Sequence, residues 1–371
     1  MHCKISLFLI ILLTSAGLLG CILEPQKEYD SSQETPSPNT EKRTEREDFY
    51  VETVAADLNV PWAIQPYEDG FFVTEREGRI AFIDKDGSVS RQQVELEEEV
   101  ASQGEGGLLG FVLDEHFEEN QTAYVYHTYR DNNSLFNRIA VIKKQGDNWI
   151  EQKPLLENIP GADIHNGGRL KLGPDGMLYA TAGDADMENE AQQPEILAGS
   201  ILRMELNGQV PEDNPLEDSY VFSYGHRNPQ GLAWDENERL YISEHGPSGH
   251  DEINLIEAGQ NYGWPVITGD ATNSAMQSPL FHSGNNTWAP SGLSLHNRNL
   301  YATGLRGNQL MRFNLEEEEI EVVFSGEGRL RDVYIENDNM YVITNNRDGR
   351  GTPEEQDDRL LHLKNFEDHT E

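Results

Sequence analysis

Several short segments of this chain set polar side chains beside glycine, where backbone can approach a ligand closely. Asp163-Ile164-His165-Asn166-Gly167-Gly168-Arg169 offers His165, and imidazole takes up a proton near neutral pH, as a general base must. Ser223-Tyr224-Gly225-His226-Arg227-Asn228-Pro229-Gln230-Gly231 presents Arg227 and Asn228. Arg306 follows in Gly304-Leu305-Arg306-Gly307, and Arg329 and Arg331 in Gly328-Arg329-Leu330-Arg331-Asp332-Val333. Four guanidiniums of this kind could bind an anion, because arginine forks pair with carboxylates bidentately. Arg329 and Arg331 are two apart, which on a regular strand points both to one face. Glu244-His245-Gly246-Pro247 and Asp251-Glu252 add oxygen donors, and Glu252 with nearby carbonyls has the ligand chemistry of Ca²⁺. Gly104-Glu105-Gly106-Gly107-Leu108-Leu109-Gly110 lacks the Gly-Lys-Ser/Thr ending of a phosphate loop. Plainer roles stay open on the residues alone: a histidine bonded to a turn carbonyl, arginines paired with some of the 66 acids, a solvated glutamate.

Elements that could gather such distant segments are written in β grammar. From about residue 48 short apolar runs alternate with Gly, Asn and Asp turns, and no apolar pattern at 3.6 spacing is sustained. One phrase recurs: a polar turn, a strand with an aromatic, then often Thr or Ser. It is legible around Phe72, Tyr124, Tyr179, Tyr241, Tyr301 and Tyr341, at intervals of 40 to 62 residues. A four-stranded propeller blade needs about 40–50 residues plus its loops. The repeat therefore predicts an all-β fold, a six-bladed β-propeller of four-stranded antiparallel blades over 48–371. Its loops would gather at one face around a central channel.

Charge bounds the partners. With 28 Lys+Arg against 66 Asp+Glu the formal net charge is -38, the opposite of what phosphate neutralisation needs, so no nucleic-acid partner is expected. Nine lysines against 19 arginines, with so large an acidic excess, suggest a protein adapted to high salt, where self-repulsion is screened. Lys4 followed by the apolar run Ile5 to Leu13 reads as an export signal over 1–20, too short for a comfortable membrane span. It ends Leu18-Leu19-Gly20-Cys21, which resembles a lipobox. Cys21 would then be lipidated and would place the protein at the cell surface or on the periplasmic side, touching membrane only through that anchor. Cys3 lies inside the signal, so no disulfide could form within the mature chain. Residues 21–47, polar with scattered Pro and Ser, read as a flexible tether. A monomer or homodimer is expected.

The ordered set of segments resembles the soluble quinoprotein glucose dehydrogenases and aldose sugar dehydrogenases, the glucose/sorbosone dehydrogenase family. The likeness runs from Val60-Pro61-Trp62-Ala63-Ile64 through His165-Asn166-Gly167-Gly168-Arg169, the Gly225–Gly231 segment and Asn261-Tyr262-Gly263-Trp264-Pro265 to Arg329–Val333. It implies a six-bladed propeller that binds pyrroloquinoline quinone (PQQ) and Ca²⁺ and oxidises the anomeric carbon of an aldose to a lactone. By position His165 would be the base that takes the C1 hydroxyl proton as hydride leaves to the quinone. Asp163 lies near it, but the intervening Ile164 puts an orienting role in doubt. Arg227 and Asn228 match the pair beside the reactive quinone oxygen, where Arg227 would stabilise a developing oxyanion. Arg329 and Arg331 match the cofactor-binding pair, and Arg306 falls where a lysine or arginine serves the same end. Glu105 stands where some members have glutamine against the cofactor, and an ionised Glu would repel the PQQ carboxylates. Gly246 and Pro247 match the carbonyls that hold the catalytic Ca²⁺. Glu252 and Tyr262, ten apart, match a second, structural Ca²⁺ site.

Two other classes compete: a propeller lactonase-type hydrolase and a non-enzymatic cell-surface binding propeller. The first needs a channel metal lined by carboxylates and Asn, which the arginine cluster disfavours. The second would be expected to lose the histidine and the arginines, and all are present. An aldose substrate and an external electron acceptor, which the residues do not name, complete the expectation.

Overall fold

Residues 50–364 and Phe366 are described by a computed structural model. The expected export signal, Cys21 and the tether lie outside the described residues.

The strands form antiparallel meanders. β1 (Tyr50–Ala55) precedes β2 (Pro61–Tyr67), β3 (Gly70–Glu75), β4 (Arg79–Ile83) and β5 (Val89–Glu95). Then come β6 (Leu108–Leu113), β7 (Thr122–Asp131), β8 (Ser134–Gln145) and β9 (Asn148–Pro160). The next group is β10 (Leu170–Leu172), β11 (Leu178–Ala182), β12 (Ser200–Met204) and β13 (Val221–Tyr224), followed by β14 (Pro229–Trp234), β15 (Leu240–Glu244), β16 (Glu252–Ile256) and β17 (Phe281–His282). β18 (Pro290–His296), β19 (Asn299–Gly304), β20 (Gln309–Asn314) and β21 (Glu319–Ser325) form another sheet. The last is built from both ends of the described chain, in the order β1-β24-β23-β22, from β22 (Leu330–Glu336), β23 (Asn339–Thr344) and β24 (Leu360–Lys364).

Four sheets have the expected four strands. The first two meanders depart from the expectation: they are joined as one eight-stranded sheet in the order β2-β3-β4-β5-β9-β8-β7-β6. The cause is local. β8 and β9 are 12 and 13 residues long, and the start of β9 reaches β5 and pairs with it in parallel, Gln93 opposite Asn148 through Glu95 opposite Ile150. Trp149 pins the joint. Its ring is buried against Phe72, Phe111 and Phe117, and its Nε1 donates to Gln92 Oε1 at 2.7 Å.

The recurring phrase has a structural meaning. Each of its aromatics lies on the second strand of its meander: Phe72 on β3, Tyr124 on β7, Tyr179 on β11, Tyr241 on β15, Tyr301 on β19 and Tyr341 on β23. Three tyrosine hydroxyls donate to an aspartate of the preceding polar turn, Tyr124 to Asp114, Tyr179 to Asp175 and Tyr241 to Asp235, so the ring is buried while its polar tip is satisfied. The hydroxyls that end the phrase tie neighbouring strands together. Thr74 Oγ1 donates to Leu109 O at 2.7 Å and Ser243 Oγ to Ser291 O at 2.6 Å.

A second regularity was not visible in the sequence. Register breaks near the start of the first strand in five meanders, at Pro61/Ile64, Leu108/Phe111, Pro229/Gly231, Pro290/Leu293 and Leu330/Asp332. Such bulges re-aim side chains, and these lie beside the residues with chemistry.

Candidate active site

His165 sits in the loop before β10 with φ 57°, a left-handed conformation uncommon outside glycine. Three contacts pin it. Its N–H donates to Glu105 Oε2 at 3.0 Å, its carbonyl accepts from Ala185 N at 3.2 Å, and its Nδ1 lies 2.8 Å from Asp184 Oδ1. Asp184 is fully buried, and its other oxygen accepts from Trp264 Nε1 at 2.8 Å. A carboxylate on Nδ1 fixes the proton there and leaves the Nε2 lone pair to accept another. The orienting acid is therefore Asp184 and not Asp163, whose carboxylate is engaged by Gln103 Nε2 at 2.6 Å. One signal could have found it: an acid follows the recurring phrase, Asp184 two residues past the end of β11, Glu75 and Glu244 as the last residues of β3 and β15.

Arg227 and Asn228 come from the turn before β14. Arg227 NH1 donates to Gly246 O at 2.8 Å, its guanidinium lies 5.2 Å from the Trp264 ring centre, and its carbonyl accepts from Asp184 N. Trp264 thus touches both Arg227 and the acid behind His165. Asn228 is buried, accepts from Gly167 N at 3.1 Å and lies 3.5 Å from Glu105 Oε2. Glu105 joins this group to a distant loop through Arg350 NH1 at 2.7 Å. Arg76, buried under the loop, donates to Gly104 O and Gly106 O and so fixes where Glu105 starts.

Arg329 and Arg331 are both buried but do not share one environment. Arg329 donates to Asp348 at 2.7 Å and to Leu305 O at 2.9 Å. Arg331 reaches Gln230 Oε1 at 2.8 Å and Asn345 Oδ1 at 3.1 Å. Arg329 precedes β22 and the register breaks between Leu330 and Asp332, so regular strand alternation does not govern this pair. Burial, with Arg329 and Arg76 close by, pushes Arg331 down to about 9 against the pull of Asp348 and Glu105. Arg306 is exposed, and its side chain makes no bond among the described residues.

Gly246, Glu252 and Tyr262 line a small pocket together with Arg227, Glu244 and His245. Pro247, next to Gly246 in the chain, is exposed. Glu244 and Glu252 are paired residues on β15 and β16, both buried. Burial and the neighbouring Glu244 push Glu252 up to about 8. The Tyr262 hydroxyl donates to Leu255 O at 2.7 Å and accepts from Glu257 N at 2.8 Å. Burial, with Arg331 and Arg227 near, lowers His245 to about 4 despite Asp251 and Glu105, so it is neutral near pH 7.

Arg227 Nε, Arg331 Nε and His245 Nε2 are buried polar atoms without a partner among the described residues, and such atoms suit a polar ligand. The donor set is rich in guanidiniums, as an anionic ligand requires.

Antiparallel meanders whose first strands meet around one polar, arginine-rich site place the molecule in the β-propeller class. Within that class, the chain belongs to the Glucose / Sorbosone dehydrogenase family, whose model matches residues 58–356. It is similar to quinoprotein glucose dehydrogenase B of Acinetobacter calcoaceticus, 32% identical over 267 residues, or 63% of this chain and 56% of that protein. Aldose sugar dehydrogenase YliI of Escherichia coli is 30% identical over 242 residues, 62% of this chain and 65% of that protein. The chain thus spans less than two thirds of the length of these two relatives. The solved PQQ-bound aldose sugar dehydrogenase from Streptomyces coelicolor has a TM-score of 0.79 at 36% identity, covering 85% of this chain and 98% of that one.

Proposed function

We propose that the protein is a PQQ- and calcium-dependent sugar dehydrogenase that oxidises the anomeric carbon of an aldose to the lactone. The observation that carries this reading is His165 locked by buried Asp184 amid orphaned guanidinium donors. PQQ, when bound, supplies a quinone that takes up two electrons as hydride. Arg227, Asn228, Arg306, Arg329 and Arg331 would hold it, the arginines facing its carboxylates and Arg227 a developing oxyanion. His165 Nε2 accepts the C1 hydroxyl proton, and Asp184 stabilises the imidazolium that results. The substrate loses one proton and one hydride equivalent, and an external acceptor finally takes the two electrons.

The buried Glu244–Glu252 pair suits a divalent cation, which would relieve the repulsion between two carboxylates in a low dielectric. Glu252 and the Tyr262 carbonyl would hold a structural Ca²⁺, and the Gly246 and Pro247 carbonyls the ion on the cofactor side. We count six blades, taking the eight-stranded sheet as two blades bridged by β5 and β9. The domain runs over 48–371 behind an export signal and tether, anchored at Cys21 on the outer side of the membrane, and its acidic surface is adapted to high salt.

The test is reconstitution. Apo-protein given PQQ and Ca²⁺ at high salt is expected to reduce a dye with some member of an aldose panel. No turnover, with no spectral change from bound PQQ, would overturn the proposal. The His165→Ala variant is expected to keep PQQ and lose turnover.

A further inference from the structure

The Glu105 carboxylate lies beside His165 and Asn228, in the site where an anionic cofactor is proposed to bind. Its two oxygens are divided between opposite duties. Oε2 accepts the His165 N–H at 3.0 Å and lies 3.5 Å from Asn228 Nδ2, so it helps to fix two residues of the site. Oε1 takes Arg350 NH1 at 2.7 Å, from a segment 245 positions further along the chain. Burial resists ionisation of Glu105, but His245, Arg350 and the His165 N–H together hold it down to about 2. Among the described residues, Arg350 is the guanidinium paired directly with this carboxylate.

The segment that delivers Arg350 is not independent of the site. Asp348 Oδ1 accepts the Arg350 N–H at 2.9 Å, and its Oδ2 takes the Arg329 guanidinium at 2.7 Å. The turn is held from below as well, since Asn346 Oδ1 accepts the Arg329 N–H at 2.8 Å. A chain of alternating charge, Glu105–Arg350–Asp348–Arg329, therefore runs between two loops of the site.

We propose that Arg350 is a further positioning residue of the cofactor site: it neutralises Glu105, so that this carboxylate can orient His165 and Asn228 without repelling a carboxylate-bearing cofactor. Arg350 acts through Glu105. The proposal rests on the PQQ reading above. An exposed ion pair contributes little to stability by itself, and half of the Arg350 side chain is open to solvent. Its effect belongs in ligand affinity, where an unneutralised carboxylate meets an anion.

The experiment is PQQ titration of the full-length apo-protein with Ca²⁺ present, followed by tryptophan fluorescence, at one fixed salt concentration. Arg350→Ala is expected to weaken PQQ by about tenfold, the scale of coupling between close charges at an interface. Arg350→Lys should restore most of that loss. Glu105→Gln keeps an acceptor for the His165 N–H and removes the charge, so it should bind PQQ at least as tightly as the unaltered protein. The decisive variant is the double one: with Glu105→Gln in place, Arg350→Ala should cost nothing further. A ligand-free readout runs beside it: in Arg350→Ala, the Glu105 carboxyl, followed by carbon NMR, should titrate at higher pH. Equal losses from Arg350→Ala in both backgrounds, or no loss in either, would overturn the proposal while leaving the PQQ reading intact. Failure of the unaltered protein to bind PQQ would overturn both.

Discussion

Asp184→Asn tests the core of the proposed chemistry with a change of one atom. Asp184 is fully buried and accepts three hydrogen bonds: His165 Nδ1 and Asp186 N on one oxygen, at 2.8 and 2.9 Å, and Trp264 Nε1 on the other, at 2.8 Å. An amide cannot serve all three. With its nitrogen toward Trp264, two donors face each other. With its nitrogen toward His165, it opposes the Asp186 N–H and pushes the imidazole proton onto Nε2, the atom that must accept one. Either arrangement gives up a buried bond to a charged group, worth about 1.5–3 kcal/mol. It also removes the negative charge that would stabilise an imidazolium. General base catalysis contributes about 10²–10⁴-fold, so kcat is expected to fall by roughly that range. Arg329 and Arg331 are untouched, so PQQ affinity should change little. The assay is dye-linked aldose oxidation after reconstitution, with PQQ binding measured separately so that lost chemistry is told apart from lost cofactor. Wild-type turnover in the Asn variant would refute the assignment of His165 as a base oriented by Asp184.

Three further outcomes are expected. Ca²⁺ should raise the melting temperature of the unaltered protein and EDTA should lower it, and Glu252→Gln should remove most of that response in a thermal-shift assay. Trp149→Ala should destabilise the fold by about 3–5 kcal/mol in denaturant unfolding, as for other buried aromatics, because it empties the joint between β5 and β9 and orphans Gln92. Asp358 is raised from 3.8 to about 7 by burial and the neighbouring Asp357, and its Oδ2 is buried without a partner among the described residues. A raised carboxyl favours folding while protonated, so its contribution is complete below pH 3.8 and is lost as pH rises through about 7. Asp358→Asn should therefore gain melting temperature relative to the unaltered protein at pH 8 and not at pH 4.

The alternation of turn, aromatic and hydroxyl was legible because it is local. A strand buried against its neighbours needs an apolar ring, the ring's polar tip needs a nearby aspartate, and the closing Thr or Ser needs a carbonyl across the gap. Each requirement leaves its mark within a few residues, which is why Phe72, Tyr124, Tyr179, Tyr241, Tyr301 and Tyr341 mark second strands. Glycine beside His165, Arg227 and Arg329 was readable for the same reason.

The pairings were decided only by tertiary structure. Asp163, close to His165 in sequence, serves Gln103, while Asp184 arrives from the end of β11. Arg350 reaches Glu105 from another meander. Glu244 and Glu252 became a buried pair through the register of β15 with β16. A bulge interrupts the regular alternation on which the reading of Arg329 and Arg331 relied. Composition and periodicity determine which residues are turned into or out of a sheet. Which of them meet depends on strand register, on where one sheet packs against the next and on where a bulge intervenes, and a partner such as Arg350 for Glu105 lies 245 positions away.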